Sequence, residues 1–223
     1  MNDRSTEKPA IIFDFGRVLG LDQNADVVAS MARFFETDIE SYRRAYSLCR
    51  NEYDRGTISD FDYWKSVASS LDRQITEAMV PSLVKMDLES WFSINYDMYN
   101  LVKRLHADGF RLFLLSNMNF AGRERLVSRN EWGPYFEHMF FSCDLGLIKP
   151  ERAIYQYCVE QAGIEPDNCI FIDDLPANVE AAREFGMYGI VFRGYDALWP
   201  ELSRRLGAHV VQKGSYAYLS DTL

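Results

Sequence analysis

Five short apolar runs recur along this chain, and three of them stop at residues able to do chemistry. The run over 9–13 leads into Asp14, the run over 110–115 into Ser116 and Asn117, and the run over 168–172 into Asp173 and Asp174. Runs over 138–141 and 188–192 complete the set. Apolar stretches of this length, bounded by Gly, Pro or polar residues, predict strands buried on both faces. From residue 95 onward they alternate with segments of helical period. That alternation predicts an α/β fold, a doubly wound parallel sheet of five strands. In a parallel sheet the strand ends share one edge, and ligands bind in the crevice beyond it. Asp14, Ser116, Asn117, Asp173 and Asp174 are therefore expected to converge.

Between residue 21 and about residue 92 there is no strand signal. Val27, Val28, Met31, Phe34 and Phe35 fall on one helical stripe, and Ile39, Tyr42, Ala45, Tyr46 and Cys49 on a second. After a break over 55–59, Ser59 or Asp60 can cap a helix carrying Phe61, Trp64, Val67 and Ala68. A further short helix is expected over about 76–84, containing Pro81. The expected division is a core of 1–20 and 94–223, interrupted by an all-helical insert of 21–93. In the second half, helices are expected over about 122–129, 177–185 and 197–206. Pro150 is expected in the first turn of a helix that stops at Gly163. The tail after Gly207 carries no clear pattern.

The formal net charge is -9. A phosphate backbone needs clustered Lys and Arg, so nucleic acid is not an expected partner. A small phosphorylated substrate stays open, because one pocket can oppose the global field. Cys49, Cys143, Cys158 and Cys169 form no CxxC pair, which points away from a zinc ribbon or a thioredoxin-type site and toward a reduced, cytoplasmic setting. Residues 1–8 are charged and polar, and no apolar run reaches the roughly 20 residues of a membrane span.

Carboxylates gathered at one sheet edge make an oxygen-only site, which suits a hard cation such as Mg²⁺ held by one or two carboxylates plus waters and phosphate oxygens. Lys149 is the one strong cation expected near a strand end in this half, placed to oppose the charge of a transferred phosphoryl group. Ser116 and Asn117 offer a hydroxyl and an amide to phosphate oxygens. An Asp beside Mg²⁺ and a Lys can act as a nucleophile and carry the phosphoryl group as an aspartyl-phosphate. Singly, each residue has a plainer reading: Ser116 a helix cap, Lys149 a solvated lysine, Asp173-Asp174 a turn, Asn178 an N-cap. The ordered set favours chemistry.

That set resembles the haloacid dehalogenase superfamily with a helical cap after the first strand. Four motifs stand in the family's order: Asp14-Phe15-Gly16-Arg17-Val18, Leu115-Ser116-Asn117, Gly146-Leu147-Ile148-Lys149-Pro150 and Phe171-Ile172-Asp173-Asp174. The strings from Cys143 to Tyr155 and from Asp173 to Ala182 are similar to one subgroup. It contains small sugar-phosphate phosphatases and the N-terminal phosphatase domain of soluble epoxide hydrolase. The resemblance implies Asp14 as nucleophile and metal ligand, the Gly16 carbonyl and Asp174 as further ligands, and Asp173 and Asn178 as their support. It implies Ser116, Asn117 and Lys149 as the phosphate contacts.

One position departs from the common pattern. Most phosphatases of the superfamily carry a second Asp two residues after the nucleophile, to protonate the leaving group and activate water; here Gly16 stands there. Arg17 cannot serve as a base. General acid–base help is worth about 10²–10⁴-fold, so the resemblance implies a slow phosphatase, one restricted to good leaving groups, or one with another proton carrier. Asp22 and Asp144 are near in sequence. Two other readings stand beside hydrolysis of a phosphorylated metabolite: a metal-free haloacid dehalogenase using the same Asp, and a phosphoryl-binding protein without useful turnover.

Overall fold

The computed structural model describes residues 8–207. Five parallel strands, β1 (Ala10–Phe13), β2 (Leu112–Ser116), β3 (His138–Phe141), β4 (Cys169–Asp173) and β5 (Tyr188–Val191), form one sheet in the order β3-β2-β1-β4-β5. β1 lies in the middle, so the chain winds outward through β2 and β3 on one side and through β4 and β5 on the other. The switch point falls between β1 and β4, where such folds open a ligand crevice.

β1, β2 and β4 are buried along their whole length, which is why they read as unbroken apolar runs. Alternate residues of β1 serve two separate cores. Ile11 and Phe13 pack into a cluster with Met98, Leu101 and Leu105 from α6 (Tyr96–Ala107), Leu126 from α7 (Phe120–Arg129), and Leu198 and Leu202 from α11 (Tyr195–Leu206). Ala10 and Ile12 face Ile154, Tyr155 and Cys158 of α9 (Arg152–Ala162) and Ala182 of α10 (Pro176–Phe185). A short α8 (Ser142–Leu145) follows β3 directly.

The segment between β1 and α6 is helical, as expected: α1 (Ala25–Phe34), α2 (Ile39–Ser47), α3 (Arg50–Asp54), α4 (Asp60–Ser70) and α5 (Val80–Trp91). Asn24, Asp38 and Ser59 cap α1, α2 and α4 with side-chain oxygens that accept backbone N–H groups. These helices enclose their own core, in which Met31, Phe35, Tyr42, Tyr63 and Trp64 are almost wholly buried. The two ends of the insert meet in an antiparallel bridge between Gly20 and Ile94, flanked by Leu21 N–H to Ser93 O at 2.8 Å and Asn95 N–H to Leu19 O at 2.9 Å.

Two local expectations change. α5 does not stop near residue 84 but runs to Trp91, because its buried face continues past Leu83 through Asp87 and Ser90, polar residues that leave no apolar period to read. Pro150 precedes α9 rather than opening it: Glu151 is the N-cap and the Lys149–Pro150 bond is cis. Asn178 sits inside α10 with Leu175 at the N-cap, and its side chain turns to Asp173. The tail after Gly207 lies outside the described residues.

Candidate active site

Sheet order brings the expected residues together. Asp14 directly follows β1, Ser116 ends β2, and Asp173 ends β4 with Asp174 next. Lys149 arrives from the loop before α9, with its side chain 1% exposed. Its ammonium donates to Asp14 Oδ1 at 2.7 Å, Asp173 Oδ2 at 2.7 Å and the Leu115 carbonyl at 2.9 Å. All three donors are thus used, and the cation is fixed between β1, β2 and β4. The Leu175 N–H donates to Asp173 Oδ1 at 2.8 Å, and Asn178 Nδ2 donates to both Asp173 oxygens at 3.0 Å. Asp173 is therefore saturated, and it does not line the cavity. Asp14 keeps Oδ2 free of Lys149, and Asp174 forms an ion pair with Arg17 at 3.6 Å.

One oxygen from each of Asp14, Asp173 and Asp174 lies within 4.8 Å of the others. Three carboxylates with one buried ammonium leave excess negative charge in a desolvated place. Burial pushes the Asp14 carboxyl up to about 7; Lys149 opposes the rise and Asp173 adds to it. Asp174 is raised by burial and then by Asp173, with Arg17 and Lys149 opposing. Burial works against the Lys149 charge, but Asp14 and Asp173 outweigh it and hold its pKa above the usual value. An all-oxygen donor set of this charge fits a hard divalent cation, with Asp14 and Asp174 the members that still have oxygens to give.

A cavity of about 390 Å³ opens over these strand ends. Its floor is Asp14, Gly16, Ser116, Lys149 and Asp174, and its upper wall is the helical insert. Ser116 is buried at the floor. Gly16 lies in a kinked turn over Phe15–Leu19, in which Arg17 takes a left-handed conformation at φ 56°. A Cβ at position 16 would stand 3.9 Å from both Asp14 Oδ2 and the Trp91 ring. The position faces the carboxylate, but it carries nothing to offer.

Asn117 differs from expectation. Its Nδ2 donates to the Lys149 carbonyl at 3.0 Å, and its Oδ1 accepts the Lys149 N–H at 2.9 Å. The amide expected to hold phosphate is engaged at both ends in bracing the lysine's loop. Asp22 and Asp144 are both exposed and ion-paired: Asp22, in the cavity lining, to Arg17 at 2.9 Å, and Asp144, outside it, to Arg123 at 3.1 Å.

The upper wall was not visible in the sequence. Arg43, Ser47, Arg50 and Asp54 recur at helical spacing across α2 and α3 and line the cavity with Asp87 and Trp91 of α5. Arg50 bonds Asp54 Oδ2 at 2.9 Å and Asp87 Oδ2 at 3.1 Å. The Tyr46 hydroxyl donates to Asp87 Oδ1 at 2.6 Å, accepts from Trp91 Nε1 at 2.9 Å and also meets Arg50. Of the insert's aromatics, Tyr42, Tyr53, Tyr63 and Trp64 are core, while Tyr46 and Trp91 reach the cavity.

The chain matches the family model of haloacid dehalogenase-like hydrolases over residues 10–186. It is 34% identical over 120 residues to flavin mononucleotide hydrolase 1 of Arabidopsis thaliana, a stretch covering 54% of this chain and 49% of that protein. A bifunctional epoxide hydrolase 2 from Sus scrofa is 29% identical over 53% of this chain and 22% of its own length. The chain thus spans half or less of these relatives. D-ribitol-5-phosphate phosphatase of Bacteroides thetaiotaomicron is 23% identical over 79% of this chain and 87% of that protein. Among solved structures, a HAD family enzyme from B. thetaiotaomicron in complex with magnesium and inorganic phosphate superposes with a TM-score of 0.70. That match has 20% identity and covers 88% of this chain and 99% of the other. An L-2-haloacid dehalogenase from Xanthobacter autotrophicus gives 0.66 at 18% identity, over 88% and 82%. The two solved structures speak to the fold alone. The family match covers most of the chain, in the region that carries every residue of the sheet-end site, and on that basis this protein belongs to the haloacid dehalogenase-like hydrolases.

Proposed function

We propose that this chain is a Mg²⁺-dependent phosphatase of a small phosphorylated metabolite, working through an aspartyl-phosphate on Asp14. The observation that carries this reading is the charge imbalance at the strand ends. Three carboxylate oxygens within 4.8 Å share one buried ammonium beneath an open cavity. Asp14 Oδ2 is the nucleophile, held in line while Lys149 grips Oδ1. Asp14, Asp174 and the Gly16 carbonyl hold Mg²⁺, which supplies charge neutralisation for the phosphoryl group. Asp173 and Asn178 fix Lys149 and the β4 end. Ser116 and Lys149 contact phosphate, and Asn117 keeps Lys149 in place. The relatives named for flavin mononucleotide and ribitol 5-phosphate support a phosphomonoester substrate class.

The core in this reading is 1–20 and 94–223 and the cap is 21–93, hinged at the Gly20–Ile94 bridge and excluding water when closed. The four free cysteines suit a reducing, cytoplasmic setting. A metal-free dehalogenase has no use for the Asp173–Asp174 pair, which weighs against that alternative. The test is phosphate release from a panel of sugar, polyol and flavin phosphates with Mg²⁺, run beside Asp14→Asn. The wild type should turn over in Mg²⁺ and stop in excess chelator. The variant should lose on the order of 10⁴-fold or more. Turnover that survives either change removes Asp14 or the metal from the mechanism.

A further inference from the structure

Five carboxylates line the cavity: Asp14, Asp22, Asp54, Asp87 and Asp174. Asp14 and Asp174 belong to the charged cluster at the strand ends. Asp22 is surface-exposed and bonded to Arg17. Both oxygens of Asp87 are satisfied, one by Tyr46 and one by Arg50. Asp54 alone of these keeps a buried oxygen without a hydrogen-bond partner among the described residues: Oδ2 takes Arg50, while Oδ1 takes none of them. Unpartnered buried polar atoms are rare and costly, and they point to a role.

Asp54 is also held firmly in the cavity wall. The Ser142 hydroxyl donates to the Asp54 carbonyl and accepts the Met118 N–H at 2.9 Å, tying α3 to the loop that follows Ser116 and Asn117. Two residues on, Gly56 has φ 77°, and a Cβ there would meet the Cys143 carbonyl at 2.9 Å. Only glycine lets the insert seat this closely. Arg55 adds an ion pair with Glu151 at 2.5 Å.

We infer that Asp54 is the catalytic proton carrier of this site, acting from the insert in place of the side chain that position 16 lacks. The inference rests on the phosphatase reading above. As Asp14 Oδ2 attacks phosphorus, the ester P–O bond breaks, its electron pair goes to the leaving oxygen, and that oxygen takes the proton of the Asp54 carboxyl. In the second step water attacks the same phosphorus and gives a proton back to Asp54. The Asp14–phosphorus bond breaks with its pair returning to Asp14, and inorganic phosphate departs. The cycle consumes one ester and one water. Burial raises the Asp54 carboxyl, the direction that favours a proton donor; Arg50 opposes the rise, Asp87 adds to it, and the neighbouring Asn119 side chain opposes it.

The experiment compares glycerol 3-phosphate, a poor leaving group, with 2,4-dinitrophenyl phosphate, which needs no acid. Asp54→Asn with Mg²⁺ should lose about 10²–10⁴-fold on the alkyl ester. With the aryl ester it should still release a burst of one dinitrophenolate per site and accumulate phosphorylated Asp14, seen by mass spectrometry. Adding Gly16→Asp to that variant should restore alkyl turnover, because a Cβ at position 16 meets nothing closer than 3.9 Å. In the wild type, a rate nearly independent of leaving-group pKa reports the same acid without any substitution. Equal loss on both esters with no burst, a steep leaving-group dependence in the wild type, or failure of Gly16→Asp to rescue would each overturn the role. A wild type inert on both esters would instead remove the phosphatase reading beneath it.

Discussion

A cation between two carboxylates occurs twice around this cavity, once buried in the sheet and once half-buried in the insert. Lys149 sits between Asp14 and Asp173; Arg50 sits between Asp54 and Asp87. Their surroundings differ. At the sheet edge a third carboxylate, Asp174, crowds the pair, and the neutral donors there, the Leu175 N–H and the Asn178 amide, go to Asp173. In the insert, Tyr46 donates to Asp87 and Trp91 donates to Tyr46, so the charge spreads into hydrogen bonds. The first cluster is electrostatically unfinished and the second is nearly closed, with Asp54 Oδ1 left buried and without a hydrogen-bond partner among the described residues. The same motif therefore supports opposite tasks: a place for a cation, and a rigid wall that holds one acid.

The sharpest way to break this contrast is to remove each cation. Lys149→Met in chelator leaves Asp14 and Asp173 buried without their partner, and should cost about 3–5 kcal/mol. Saturating Mg²⁺ should return much of that, since the freed carboxylates are cation ligands. Arg50→Met should cost about 2–4 kcal/mol, less because Asp87 keeps Tyr46. There Mg²⁺ should add only the increment it gives the wild type. Urea unfolding with and without Mg²⁺ decides; equal recovery in both variants erases the distinction.

The two regions also differed in how plainly the sequence announced them. A strand buried on both faces must be continuously apolar, so a carboxylate at its end stands out, and Asp14 and Asp173-Asp174 were legible for that reason. A polar stripe on an amphipathic helix carries no such mark. Arg43, Ser47, Arg50 and Asp54 share the pattern of a solvated face, and only the seating of the insert turns that face inward. Asn117 shows a second limit. Its chemistry as a donor and acceptor is written in the residue, but its partner lies 32 positions away. Pro150 shows a third: the preference of proline for a first helical turn is local, and Glu151 caps the helix instead.

A smaller change separates charged from neutral hydrogen bonding. Asn178→Leu removes the amide shared by both Asp173 oxygens and leaves a buried carboxylate short of a donor, about 2 kcal/mol. Trp91→Phe removes a neutral bond to the Tyr46 hydroxyl, about 1 kcal/mol. The first should also slow phosphate release, through a less firmly held Lys149. Thermal melts on both variants test the ranking, and a reversed order would mean that the insert network carries more charge than its geometry suggests.

The smallest effect concerns pH. Burial raises Asp14 from 3.8 to about 7, so the folded chain binds this proton more tightly than the unfolded chain does. Its contribution to stability is complete below about pH 4 and is lost as pH rises through about 7. In chelator, wild type should therefore lose about 1–2 kcal/mol relative to Asp14→Asn between pH 6 and pH 7.5. Asp54, also raised by burial, is present in both proteins and cancels in the difference. With saturating Mg²⁺ the slope should reverse, because a cation binds the deprotonated carboxylates and gains on the proton as pH rises. Parallel pH–stability curves for wild type and Asp14→Asn in chelator would show that the sheet cluster is as well balanced as the insert, and the contrast between them would fall.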